Sequence, residues 1–387
     1  MDIAFFAARR LQRDYFIKIA AQLEKSGTKS HVFWHKALWL QFSWVIGLCS
    51  TPSHDLSNIV KDALREKANS RKYQKKPDYW WKLFYILRFF EAFILLAIYR
   101  NTLKRTRPSL LIIWNGLKFR QRIVSAAAHS LGIKTAFMEN GLLPSMTTLD
   151  QSGVNYLNSV PRSSKELINA SEKITPEKTS KNDNIRFSTK PPGLPENYIF
   201  APFQVDTDSQ IILFSPWLSS MLELCEALKK AEKRLGENMP HIVLKTHPAC
   251  NTSYSELSEN LNKSSSKIQL LLEGDTASLI EHSSAVATIN STVGIESLLA
   301  NKPLLVLGEA FYNIPEIALS ALSQSELEHN LSLISSFKPD EKTRQALLNY
   351  LKYIYQIPGH WQDANEEHLK AVAQALKSII DDGSYCG

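Results

Sequence analysis

Polar side chains collect at five places in the sequence, each beside the end of an apolar run. Because the carboxyl ends of parallel strands meet at one edge of a sheet, where ligands bind, these stretches are the first candidates for chemistry. They are Glu139–Gly141, Asp150 with Gly153–Asn155, Gln204–Ser209, His247 with Pro248, and Asn290–Gly294.

The segment from Asn290 to Gly294 follows the apolar run SAVATI and is predicted to open a helix. Free backbone N–H groups at a helix start, the helix dipole and the hydroxyls of Ser291 and Thr292 favour a bound phosphate. Simple capping of the helix by Ser or Thr is the alternative. The isolated segment leaves both interpretations open.

His247 and Pro248 end the apolar run IVLKT. Pro248 stops the strand and favours a turn, which places His247 at the strand end. A histidine there can donate a hydrogen bond to a phosphate or a carboxylate. A structural histidine that bonds only the backbone is the alternative.

Two carboxylates, Asp206 and Asp208, lie two positions apart in QVDTDSQ. Hard divalent cations prefer carboxylate oxygens, so the pair is compatible with the DxD metal site of many GT-A glycosyltransferases. Alternatively one of the two is a nucleophile, or the segment is a solvated turn. The first alternative predicts that a chelator abolishes activity.

The elements that must position these residues follow from the hydrophobic pattern. Apolar runs of four to eight residues alternate with amphipathic stretches, which predicts an α/β chain with parallel sheets. In a first block, strands at 109–116 and 133–141 flank a helix and end at Asn115 and Glu139. In a second block, strands are predicted at 198–204, 241–248, 268–272, 284–290 and 303–308.

A chain of 387 residues is long enough for two or three domains. The segment 163–197 is rich in Lys, Ser, Asn and Pro and is predicted to be an exposed linker. We therefore predict an N-terminal domain over 1–195, a C-terminal domain over 196–345, and terminal helices over 346–387 that pack back on the N-terminal domain.

Composition indicates which class of partner the protein binds and in which cellular compartment it lies. The 45 basic and 38 acidic residues give a net charge of +7, which favours anionic partners. The N-terminus carries a short apolar run followed by Arg9 and Arg10 and does not resemble a secretory signal. Four scattered cysteines without a CxxC pair indicate reduced thiols rather than a disulfide framework or a zinc site. These features predict a cytoplasmic protein.

Residues 76–100 form the most apolar segment and carry Lys82, Arg88 and Glu91. Three charges at the centre of a bilayer would be costly, whereas a helix lying in the membrane plane can turn them towards water. Basic flanks beside aromatic residues predict peripheral attachment to an anionic membrane surface. An ordinary packed helix with a solvated basic rim is the alternative.

Taken in order, these stretches resemble the capsule polysaccharide biosynthesis proteins, which include the retaining β-Kdo glycosyltransferases of capsule and lipopolysaccharide assembly. The resemblance spans about Leu110 to Pro315 and is carried by ENG, LDQSGVN, QxxxDSQI, KTHP and INSTVGIESLLANKPLLVLGEAFYNIP. It implies a GT-B-like fold, with two Rossmann-type domains and a cleft between them. It also implies a CMP-activated 3-deoxy-2-ulosonic acid donor, no metal or other cofactor, and retention through a covalent sugar–enzyme intermediate.

Carried over residue by residue, the resemblance places the nucleophile at Asp208, with Asp206 as the second candidate. It places His247 on the donor phosphate. Glu139 is the best available base for the acceptor hydroxyl, while Lys245 and Arg162 are candidates to offset the donor carboxylate without support from a motif. The other residues expected to bind substrate are Asn115, Asn140, Gln204, Ser209, Pro248, Asn290, Ser291, Thr292 and Gly294.

The motifs are compatible with more than one acceptor, donor and function. Where many of these enzymes read EDG followed by Arg and Ser, this chain has ENG followed by Leu142 and Leu143, so the glycan acceptor, for which a lipid-linked glycan is one candidate, is undefined. The donor is CMP-Kdo or a CMP-nonulosonic acid such as pseudaminic, legionaminic or sialic acid. A non-catalytic membrane-surface component of capsule assembly is a further alternative. Nucleic-acid binding is the weakest alternative function, since no RRM, KH or zinc-finger pattern is present in the sequence.

Overall fold

The computed structural model describes residues 2–38, 56–70, 72–73, 75–173, 190–250, 252–263 and 266–381. The chain forms two compact units. The first comprises residues 1–67, 75–160 and 354–387, and the second comprises residues 68–74 and 161–353. The boundaries predicted from the sequence lay at residues 195 and 345.

A six-stranded sheet in the order β12-β5-β4-β3-β1-β2 forms the centre of the first unit. The pairs β2-β1, β1-β3 and β3-β4 are parallel. The pairs β4-β5 and β5-β12 are antiparallel. The strands are β1 (Ile3–Ala7), β2 (Ser30–Trp34), β3 (Leu110–Trp114), β4 (Lys134–Asn140), β5 (Met146–Asp150) and β12 (Gln356–Pro358).

Helices pack around this sheet because their apolar faces continue its core. One cluster joins Ile3, Phe16 and Ile112 to Leu376, so the last helix packs on the first. The helices are α1 (Arg10–Glu24), α2 (His35–Leu38), α3 (Leu56–Ala68), α4 (Asp78–Thr106), α5 (Phe119–His129) and α14 (Glu366–Asp381). No helix within the described residues is long and apolar enough to cross a membrane.

A fully parallel sheet in the order β11-β10-β9-β6-β7-β8 forms the centre of the second unit. This is the doubly wound Rossmann order, in which strands are added on one side of β6 as far as β8 and then on its other side from β9 to β11. The strands are β6 (Ile199–Pro202), β7 (Ile242–Lys245), β8 (Ile268–Leu271), β9 (Ala285–Thr288), β10 (Leu304–Val306) and β11 (Leu319–Ser320).

The helices of the second unit connect these strands. Side chains of Ser or Asp cap several of them, as at Ser220, Asp275 and Ser323, where an oxygen accepts a backbone N–H of the first turn. The helices are α6 (Ser164–Ser171), α7 (Ser209–Phe214), α8 (Met221–Leu235), α9 (Ser255–Lys263), α10 (Thr276–His282), α11 (Val293–Leu299), α12 (Gln324–Leu333) and α13 (Glu341–Tyr350).

The predicted α/β architecture is confirmed, and every strand predicted from an apolar run is present. The predicted linker at 163–197 contains the short helix α6, while its residues 174–189 lie outside the described residues. Cys225 and Cys250 are free thiols. Cys49 and Cys386 lie outside the described residues.

Candidate functional site

Gln204 and Asn290 lie at the switch point of the second sheet, two residues beyond the ends of β6 and β9. The Gln204 amide nitrogen donates to Asn290 Oδ1 over 3.0 Å, and the Asn290 backbone N–H donates to Gln204 Oε1 over 3.1 Å. The Asn290 amide also donates to the carbonyls of Gln210 and Phe214. Each side chain is only 7% exposed. The pair therefore fixes the two strand ends at the floor of the site.

Asp208 caps helix α7 beside this floor. Its Oδ1 accepts the Gln210 backbone N–H over 2.9 Å and the Ser209 hydroxyl over 3.3 Å. Asp208 is exposed whereas Ser209 is buried. Its second oxygen, Oδ2, accepts no hydrogen bond from the described residues. One carboxylate oxygen thus orients this exposed side chain, and the other is left for a ligand to approach.

Asp206 is engaged differently from Asp208. Its Oδ1 accepts the Met221 backbone N–H at the start of α8 over 2.8 Å, and its carbonyl accepts the Asn69 amide over 2.9 Å. The two aspartates therefore support the starts of two different helices. Within the described residues, no group of three or more His, Cys, Asp or Glu side chains is arranged to hold a metal ion.

The ring of His247 has a defined tautomer. Its Nδ1 accepts the Ala249 backbone N–H over 3.1 Å, so a neutral ring carries its proton on Nε2. Burial and the positive charge of Lys245 lower the pKa of His247, while the carboxylate of Asp208 acts in the opposite direction. A neutral His247 presents an Nε2–H donor.

Lys245 ends β7 and is 7% exposed. Its ammonium group donates to the Thr246 carbonyl over 3.2 Å, while the Thr246 hydroxyl donates to the Leu272 carbonyl over 2.6 Å. Pro248 is exposed. The segment from Lys245 to Pro248 thus combines a buried cation with an N–H donor at one strand end.

The segment from Ser291 to Gly294 opens helix α11, as predicted. Ser291 Oγ accepts the Val293 N–H over 3.2 Å, and the Gly294 N–H donates to the Ser291 carbonyl over 3.0 Å. The Tyr312 hydroxyl donates to that same carbonyl. A Cβ at Gly294 would lie 2.5 Å from the Tyr312 ring. Internal bonds already occupy much of this helix start, and glycine is needed there for close packing.

In the first unit, Asn115 directly follows β3. Glu139 is the last residue but one of the neighbouring strand β4. The Asn115 amide donates to Glu139 Oε2 over 2.6 Å, and Asn115 Oδ1 accepts the Leu117 N–H over 3.0 Å. Asn115 has a φ of +63°, a left-handed conformation that Asn tolerates better than most residues. Glu139 is half-buried, and its Oε1 accepts the Asn140 N–H over 2.9 Å. The two side chains therefore meet at one edge of the sheet.

Several residues near these groups were missed by the sequence analysis. The indole N–H of Trp361 donates to Asn140 Oδ1, and the Trp361 ring packs 4.5 Å from that of Trp114. Arg162, which was singled out, has its guanidinium 5.5 Å from the centre of the Phe311 ring.

Gln210 ends the segment QVDTDSQ, two positions after Asp208. Its Nε2 is buried without a hydrogen-bond partner among the described residues, and its backbone N–H holds Asp208. A buried amide donor without a partner is costly, which makes Gln210 a candidate ligand-binding residue beside Asp208. A side chain with no charge and no distinctive spacing offered no sequence signal.

The fold is shared with a solved transferase. The β-Kdo 2,7-transferase KpsC of Thermosulfurimonas dismutans superimposes with a TM-score of 0.50, over 97% of this chain and 99% of that one, at 15% sequence identity. A likeness at this identity establishes the architecture alone, that of a GT-B-like α/β protein.

The sequence places the chain in a family. A profile described as capsule polysaccharide biosynthesis protein matches residues 110–190 and 188–361, and the chain belongs to this family. Protein FixF of Sinorhizobium fredii is 31% identical over 257 residues, which are 66% of this chain and 61% of FixF. The capsule polysaccharide export protein KpsS of Escherichia coli is 31% identical over 169 residues, 42% of each chain. The chain thus matches 61% and 42% of the lengths of these relatives.

Proposed function

We propose that this protein is a retaining glycosyltransferase of capsule or lipopolysaccharide assembly. It transfers a 3-deoxy-2-ulosonic acid, with Kdo as the first candidate, from a CMP donor to a glycan acceptor. The observation that carries the proposal is the position of Asp208, Lys245 and His247, which lie at or after the ends of the parallel neighbours β6 and β7, beside the switch point of a Rossmann-ordered sheet. Membership of the capsule polysaccharide biosynthesis family supports it.

The donor phosphate is assigned to the end of β7. CMP leaves as a phosphate monoester, so its departure needs charge neutralisation more than a proton. His247 would donate its Nε2–H to the phosphate, and Lys245 would contribute positive charge close by. Ser291 and Thr292 at the start of α11 would supply hydroxyl donors.

The covalent step is assigned to Asp208. Its Oδ2 attacks the anomeric carbon, and the bond from that carbon to the phosphate oxygen breaks, so that CMP leaves with the bonding electron pair. In the second step the acceptor oxygen attacks the same carbon and the bond to Asp208 breaks, which restores the carboxylate. Two inversions give net retention. Asp206 is the second candidate. Each aspartate holds a helix start through Oδ1, but Asp206 is less exposed than Asp208.

The first unit is assigned to the acceptor. Glu139 would accept the proton of the acceptor hydroxyl and later release it to water. Asn115 holds one oxygen of that carboxylate in place. Trp361, whose indole N–H holds Asn140, offers an aromatic surface for a sugar ring. A lipid-linked glycan is one candidate acceptor, which would place the enzyme at the inner face of the cytoplasmic membrane.

The proposed transfer needs no metal. The experiment is to incubate the purified protein with CMP-Kdo, CMP-pseudaminic, CMP-legionaminic or CMP-sialic acid and to follow CMP release, with and without a chelator. We expect release from one ulosonic acid donor at a rate that the chelator leaves unchanged. Absence of both release and CMP binding by calorimetry would refute the enzyme proposal and favour a non-catalytic component. Loss of release in the chelator would favour a metal at Asp206 and Asp208.

A further inference from the structure

The first half of helix α4 has an unusual distribution of apolar side chains. Fourteen large apolar side chains are exposed in the described residues, and six of them lie between positions 79 and 90. They are between 36% and 73% exposed. We call them the outward face of α4: Tyr79, Leu83, Ile86, Leu87, Phe89 and Phe90.

The outward face is a continuous stripe. At 100° per residue, positions 79, 83, 86 and 90 fall within about 60° of one another around the helix axis. The stripe from position 79 to 90 is about 16 Å long at 1.5 Å per residue. Single exposed apolar residues are common on soluble proteins, but a contiguous stripe of this kind indicates a binding surface.

An ion pair occupies the opposite side of the same helix. Arg88, nine positions after Tyr79, forms an ion pair with Glu91, and its guanidinium lies 3.9 Å from the centre of the Phe119 ring on α5. Glu91 also lies 3.7 Å from Arg120. The helix therefore turns its ion pair towards the protein and its large apolar side chains away from it, the reverse of the usual amphipathic arrangement.

Positive charge accompanies the outward face. Lys75 and Lys76 precede the helix and Lys82 lies on its exposed side, against one acidic residue, Asp78. The Lys76 ammonium lies 5.7 Å from the centre of the Trp80 ring. Anionic lipid headgroups attract such lysines, and the acyl boundary accepts apolar and aromatic side chains beneath them.

We propose that the outward face of α4 docks on an anionic lipid bilayer, with the helix axis in the membrane plane. Its apolar side chains would lie below the headgroups, and Lys75, Lys76 and Lys82 would lie among the headgroups. The charge pattern favours this occupant over a neutral apolar partner. No helix of the described residues could instead cross the bilayer. The inference concerns binding of the chain to lipid and stands apart from the proposed transfer chemistry.

The test is flotation of the full chain, without donor, on vesicles of phosphatidylcholine alone or with about one third phosphatidylglycerol. We expect binding to the anionic vesicles, weakened by salt. The variant Leu83→Gln/Ile86→Gln/Phe90→Gln should bind at least about 100-fold more weakly. The variant Lys75→Gln/Lys76→Gln/Lys82→Gln should also lose about 100-fold, because each lysine near such a surface contributes roughly a factor of five.

Matched controls alter exposed residues elsewhere. Leu11→Gln/Ile17→Gln/Leu222→Gln and Lys18→Gln/Lys134→Gln/Lys230→Gln should bind as the parent does. Thermal unfolding confirms that every variant folds. The proposal is overturned if the parent chain fails to bind anionic vesicles, or if both α4 variants bind as tightly as the controls. A dimer in light scattering that the apolar variant dissociates, without vesicle binding, would assign the face to a second copy instead.

Discussion

The Asn115 amide donates to the Glu139 carboxylate over 2.6 Å, although the two residues are 24 positions apart in the sequence. The contact arises because β3 and β4 are parallel neighbours and end at the same edge of the sheet. An amide that donates to one oxygen stabilises the ionised carboxylate, the form needed by a general base.

The replacement Asn115→Asp exchanges the amide that donates to Glu139 for a second carboxylate. Asp, like Asn, tolerates the left-handed backbone of this position. Repulsion between two carboxylates at hydrogen-bond distance should raise the pKa of one of them by at least about one unit. We expect the acidic limb of the pH–rate profile for sugar transfer to move to higher pH by a similar amount. Asn301→Asp, at another left-handed Asn, is the matched control. An unchanged limb in Asn115→Asp would remove Glu139 as the base.

His247 allows its two ring nitrogens to be tested separately. Asn at this position can imitate Nδ1, which accepts the Ala249 N–H, and Gln can imitate the Nε2 donor. If the hydrogen bond from Nε2–H to the phosphate of the CMP-sugar is needed for transfer, His247→Asn should fold normally yet lose about 100-fold in transfer rate. This is the loss expected for one electrostatic contact. His247→Gln should retain more activity than His247→Asn. Equal activity of both variants and the parent would show that His247 is structural.

The Gln204–Asn290 pair should contribute to stability. Asn290→Ala removes the Asn290 side-chain bonds to Gln204, Gln210 and Phe214 and leaves buried groups unpaired. The expected loss is about 3 kcal/mol, since each unsatisfied buried group costs roughly 1–3 kcal/mol. Faster hydrogen exchange in β6 and β9 measures the loss. Asn260→Ala, on an exposed helical surface, is the control. Unchanged exchange would mean that the pair is dispensable for folding.

His35 predicts a pH dependence of stability. Burial, with smaller effects of Arg120 and Lys36, lowers the pKa of His35 from 6.5 to about 4. Between these values the unfolded chain binds a proton that the folded chain does not. This contribution is therefore present above pH 6.5 and is lost as the pH falls. The free energy of unfolding should drop by about 2 kcal/mol between pH 7 and pH 5 from this residue.

Urea unfolding of the parent and His35→Gln at several pH values measures this contribution. The variant also loses the 2.6 Å hydrogen bond to Tyr99, so the slope with pH, rather than the absolute stability, is the relevant quantity. We expect a shallower slope in His35→Gln and no change in slope for His31→Gln, at an exposed histidine. Identical slopes for the parent and His35→Gln would contradict the assignment.

The parallel strands were predictable because they are buried on both faces and form continuous apolar runs. Ile112 in β3 and Val286 in β9 are both fully buried. The run Ile3–Ala7 is equally buried, but it has only five residues and is followed by Arg9 and Arg10, so its pattern does not distinguish a strand from a short N-terminal apolar segment. Strand β12 pairs with β5 across about 200 positions of sequence, a relationship that local periodicity does not contain.

Parts of the candidate site were predictable for the same reason. Once the strands are located, the polar residues at their carboxyl ends can be identified as site candidates. The sequence could not distinguish a polar side chain that faces a ligand from one that faces another buried group. Gln204 and Asn290 looked like ligand-binding residues, yet they bond each other. Asp206 and Asp208 looked like a pair, yet they support different helices. Only the three-dimensional arrangement supplies these partners.

The most direct test of the account is mass spectrometry of the protein after incubation with CMP-Kdo, or with whichever ulosonic acid donor releases CMP. Glu139→Gln should slow the second step, so the sugar should accumulate on the protein. We predict one sugar residue on the peptide that contains Asp208, assigned to that side chain by fragmentation, and none in Asp208→Asn. A sugar on Asp206 or on any other residue, or CMP release by Asp208→Asn at the parental rate, would contradict the account.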